Sequence, residues 1–160
     1  MLFWYAGLSV LIVYFVFQST GIDYRLVAVG SLLPLVVDLP FLGWSYGHTL
    51  LASVALLLVV MLVTIGRSRL LRRRLLCLPI GAFCGLVLSA AWTNSDVFWW
   101  PFTGAALPSG SLLPVPGIVV LEELAGLAAW AWIVYRFGLT DRARRDDFLR
   151  SGRLRAIASP

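Results

Sequence analysis

The chain has 160 residues, 60% of them hydrophobic and only 13% charged, and its formal net charge of +5 comes from thirteen arginines with no lysine. That balance leaves too little polar surface for a water-soluble domain of this length and predicts an all-α integral membrane protein. Nucleic acid is not the expected partner of the positive charge, because the arginines flank apolar segments, where the anionic headgroups of membrane lipids lie nearer.

Five segments approach the roughly 20 apolar residues that a bilayer crossing needs. Met1 to Phe17 reads as a retained span, without the basic start and small-residue cleavage site of a signal peptide. Leu26 to Trp44 contains Pro34 and Pro40, each of which removes a backbone donor, so this second helix is expected to be kinked or broken. Thr49 to Ile65 is uniformly apolar up to Gly66. Leu75 to Trp92 carries Pro79 near its start, and Pro116 to Tyr135 opens with the proline that suits a first helical turn. The expected architecture is a compact bundle of about five transmembrane helices over residues 1–139, followed by a basic cytoplasmic tail over 140–160.

The arginines fall at Arg25, in the cluster Arg67 to Arg74, and from Arg136 onward. Placing all of them on the cytoplasmic side satisfies the positive-inside rule, with the amino terminus outside and the carboxy terminus in the cytoplasm. Exclusive use of arginine over lysine suggests a GC-rich bacterial genome, hence a multi-pass protein of the bacterial inner membrane. Trp4, Trp44, Trp99 and Trp100 then form an outer aromatic belt, with Trp130 and Trp132 near the inner interface. Phe98 to Gly117 is expected to lie along the outer interface. Cys77 and Cys84, seven apart, lack metal or redox spacing and read as packing residues.

The same topology gathers the polar residues in the outer half: Asp38, His48, Asn94, Asp96, Glu122 and Glu123. Ionisable groups at membrane depth face a bundle interior or a wet cavity, which makes this convergence a candidate site. Asp38 and His48, ten residues apart across a short turn, are the candidate catalytic pair. Asp38, His48, Asp96 and Glu122 are the candidate metal ligands, their donor types suiting zinc or manganese. Glu122 and Glu123 point about 100° apart, so only one turns easily to the centre, and Glu122 is favoured. Asn94, Trp99 and Trp100 are candidate substrate contacts. No phosphate loop, serine-hydrolase elbow or HExxH motif is present.

Three runs, LLPLVVDLPF (Leu32 to Phe41), GHTLL (Gly47 to Leu51) and LPIGAFCGLVLSAAWTNSDVFWWPF (Leu78 to Phe102), resemble in order and content the YdjM-type family of inner-membrane metal-dependent hydrolases. The resemblance implies that Asp38 matches the second aspartate of an LPDxxD-like segment and His48 the histidine of the middle segment. It also implies that Leu35 replaces the first aspartate, and that Gly85 and Ser89 replace the histidine and aspartate of an HxxxD helix. The expected function is that of a bundle of this family with an eroded metal site, acting as an accessory or lipid-binding protein. Membrane lipids, and another membrane protein, are the expected partners. The alternatives are an active hydrolase holding zinc or manganese and acting on a lipid-linked phosphate or ester, and a small transporter or channel subunit suggested by the proline-broken span.

Overall fold

A computed structural model describes residues 1–19, 21–41, 45–104, 106 and 116–154. Among them the chain forms eight α-helices: α1 (Leu2–Phe17), α2 (Tyr24–Asp38), α3 (Leu50–Val63), α4 (Arg69–Leu75), α5 (Cys77–Leu88), α6 (Ser95–Phe98), α7 (Pro116–Phe137) and α8 (Arg142–Ser151). Short 3-10 turns at Leu39–Phe41, Tyr46–His48 and Ala91–Thr93 join them.

Helix lengths overturn the five-span bundle. Only α7, with 22 residues, is long and apolar enough to cross a membrane among the described residues; α1 and α3 are apolar but have 16 and 14 residues. At about 1.5 Å per residue, the 12-residue α5 rises about 18 Å, short of a hydrocarbon core of about 30 Å. Hydropathy ran on through places where the helix stops, because the stopping residues carry no turn signature. Gln18 and Ala90 adopt left-handed backbone (φ 44° and 55°) and end helices without glycine or proline. The multi-pass, bacterial inner-membrane location, with an outside amino terminus and a cytoplasmic carboxy terminus, rested on five crossings and falls with them. The second helix also differs from expectation: α2 runs unbroken through Pro34, and the chain departs from it in the 3-10 turn holding Pro40.

Close backbone packing organises the fold. A Cβ on Gly30 would run into the Leu78 carbonyl, one on Gly81 into that of Val27, and one on Gly85 into that of Ser31, so α2 and α5 touch main chain to main chain. α1 meets α7 in the same manner, where Gly7 and Gly126 leave room for the opposite backbone. The central cluster joins Val10 and Val13 of α1, Tyr24 and Val27 of α2, Cys77 of α5, Ile133 and Phe137 of α7, and Leu154. Burial, with Tyr14 and Cys77 beside it, pushes the Tyr24 phenol up to about 12. Cys77 and Cys84 are free thiols whose pKa is raised chiefly by burial, which keeps them in the unreactive protonated form.

Outer faces of α1, α3 and α7 stay uncovered. Val16, Leu62, Leu121 and Tyr135 are 68%, 65%, 68% and 84% exposed. The carboxy-terminal segment, by contrast, folds back. After α8 the chain turns through Gly152 (φ 70°), whose carbonyl accepts the Tyr24 N–H at 2.8 Å, and Leu154 enters the central cluster. Any Cβ at Gly152 would collide with the Asp23 carboxylate. Of the expected aromatic belt, Trp44 lies outside the described residues, as do 105 and 107–115 of the expected interfacial segment and 155–160 of the tail.

Candidate functional site

The corner between α2 and α3 is built around one carboxylate. α2 ends on Asp38, the chain turns, and the Tyr46–His48 turn returns to it. Asp38 Oδ2 accepts the Ser45 N–H at 2.8 Å, and Oδ1 accepts the Gly47 N–H at 2.6 Å. His48 Nδ1 lies 2.6 Å from Asp38 Oδ2. Asp38 is fully buried and His48 is 2% exposed. Three donors converging on one carboxylate are the arrangement that makes a buried acid tolerable, since each lone pair lost to water is replaced.

Local sequence explains the geometry. Gly47 is required because a Cβ there would meet Asp38 Oδ1 at 2.7 Å as well as the Pro34 carbonyl. Thr49 closes the turn: its hydroxyl donates to the Tyr46 carbonyl at 2.8 Å and accepts the Ala52 N–H at 3.1 Å, capping α3. The imidazole is therefore clamped between a helix end and a capped helix start. With Nδ1 committed to Asp38, proton exchange with a ligand would run through Nε2.

An apolar cleft of about 310 Å³ runs beside this corner, between α2 and α3, with Pro34, Val37, Gly47 and Ser53 on its walls. A second, of about 450 Å³, opens on the other side of α3 against α1 and α5. Ser53 lines both, and its buried hydroxyl has no hydrogen-bond partner.

Of the four expected metal ligands, only Asp38 and His48 meet. Among the described residues no three His, Cys, Asp or Glu side chains come together in a way that could hold a metal ion. Asp96 is exposed in the single turn of α6. Glu122 lies on α7 with one carboxylate oxygen buried and unpartnered, while Glu123 accepts the Phe3 N–H at 3.1 Å. An eroded or active zinc or manganese hydrolase site is thereby corrected: sequence depth along a helix does not fix the direction in which a carboxylate points. Gly85 is not a vacant ligand position but a contact point for the Ser31 backbone, and Ser89 caps α5 with its hydroxyl on the Leu86 carbonyl at 2.8 Å. Leu35 is half-buried on α2.

The expected substrate contacts separate as well. Asn94 caps α6, accepting the Asp96 and Val97 N–H groups. Trp99 is exposed, packed edge-on to Phe98. Trp100 meets Tyr46 edge to face, with ring centroids 5.2 Å apart, and so borders the Asp38–His48 corner. Sequence reasoning missed the backbone N–H groups of Ser45 and Gly47, although the glycine one residue before the only histidine was a visible signal. The described site is a helical corner with a buried carboxylate–imidazole pair. No family model, curated protein or solved structure matches the chain.

Proposed function

We propose that Asp38 and His48 form a metal-independent acid–base pair, with His48 moving the proton and Asp38 as its positioning residue. The observation that carries this reading is the 2.6 Å contact between His48 Nδ1 and a buried carboxylate already fixed by two backbone donors. A carboxylate held in this way sets the tautomer and plane of the ring, and it stabilises the imidazolium that forms when Nε2 takes a proton. The neighbouring cleft, walled by Pro34 and Val37, suits a ligand with an apolar body whose reacting group reaches the corner.

Chelator-treated protein offered p-nitrophenyl acyl esters of increasing chain length tests the pair without knowledge of the natural substrate. Hydrolysis is expected to rise with chain length, to be indifferent to the chelator, and to fall by about 100-fold or more in His48→Gln. Ester hydrolysis that survives His48→Gln, or that disappears on chelation, would refute the reading.

A further inference from the structure

At the opposite end of α2, about 22 Å from Asp38 along the helix axis, a second constellation lies outside the site just described. Asp23, 3% exposed, accepts a forked contact from Arg25, whose Nε and Nη2 lie 3.1 and 3.0 Å from its two oxygens, and Arg74 Nε stands 3.8 Å away. This buried carboxylate orients the arginines around it. Arg74 also donates to the Ser151 carbonyl at 3.4 Å, and Arg25 donates to that of Leu149, so the end of α8 is tied to the same place.

A pocket of about 380 Å³ opens here, with Gly21, Asp23, Arg73, Arg74, Ser151 and Arg153 among its walls. Arg73 lies over Gly21, where the lack of a side chain admits its guanidinium. Arg153 is delivered from the other side by the docked segment between buried Gly152 and buried Leu154. Four guanidinium groups thus surround one carboxylate. Arg25 and Arg74 pair with Asp23, whereas Arg73 and Arg153 pair with no described acid.

Holding like charges together around a concave, partly apolar pocket is unfavourable unless an anion occupies it, and planar guanidinium groups match the oxygens of a phosphate. We infer that this pocket, formed by Arg73, Arg74 and Arg153 and braced by Asp23, binds a phosphate-bearing anion. The chemistry fits either inorganic phosphate or the phosphate of an anionic lipid headgroup, and the uncovered Leu70 and Leu71 beside it supply an apolar margin. The site is independent of the Asp38–His48 pair.

The test uses the full chain and two probes: inorganic phosphate in titration calorimetry, and vesicles of phosphatidylcholine with or without phosphatidylglycerol in a flotation assay. The double variant Arg73→Gln/Arg153→Gln is compared with Arg142→Gln/Arg144→Gln, which removes the same charge from the exposed side of α8. Saturable phosphate binding weakened at least about tenfold by the first variant, and within about twofold of wild type in the second, supports a site for free phosphate. The same pattern confined to phosphatidylglycerol vesicles supports a headgroup site. Equal loss in both variants, or no binding of either probe, overturns the inference.

Discussion

Gly85→Val should destabilise the protein by about 3 kcal/mol, the upper end of what overpacking a filled interior costs. The new side chain would have to occupy the space held by the Ser31 carbonyl, and a backbone on a packed helix cannot yield as a side-chain tip can. Val87→Ala, two residues on but 44% exposed, should stay within about 0.5 kcal/mol of wild type. Thermal or denaturant unfolding of the two variants separates the cases. Near-equal effects would mean that α2 and α5 do not meet main chain to main chain.

Asp38→Ala should cost a comparable amount, about 3 to 5 kcal/mol, because it leaves the Ser45 and Gly47 N–H groups and the His48 ring buried without their acceptor. Asp38→Asn should cost less, since its carbonyl oxygen retains part of that set while the amide opposes the rest. Denaturant midpoints should follow that order. A loss below about 1 kcal/mol in Asp38→Ala would show that the corner does not depend on the carboxylate.

The apolar composition made every long helix visible in the sequence, but not where each one ends. Turn chemistry usually announces itself with glycine, proline or asparagine, yet Gln18 and Ala90 make left-handed stops with neither sequence cue nor loss of hydropathy at Ala90. Continuous hydropathy therefore turned 12- to 16-residue helices into spans. The α2–α5 contact was legible in principle: Gly81 and Gly85, four apart on one helical face, are the small-residue pattern that lets backbones approach. Looking for a lost HxxxD pair at Gly85 and Ser89 obscured it.

At the site, proximity of Asp38 and His48 followed from ten residues spanning a short corner. Asp96 and Glu122 did not follow, because position along an axis leaves the angle around it open. The docked tail was hidden by its charge, which resembles that of a solvated helix. Its signals were the Gly152 stop after α8 and the apolar Leu154 two residues on, a pairing that commonly folds a helix end back onto its neighbours. The uncovered apolar faces of α1, α3 and α7 exceed what scattered surface residues require and mark contact surfaces.

The most direct test of the Asp38–His48 pair is nitrogen NMR of protein labelled with 15N-histidine, since the chain has one histidine and one ring to observe. The pair predicts that Nδ1 carries the proton, that this proton resonates far downfield as a short charge-assisted hydrogen bond requires, and that the signal is lost in Asp38→Ala. A ring with Nδ1 unprotonated, or one whose proton exchanges with water as freely as that of an exposed imidazole, would contradict it.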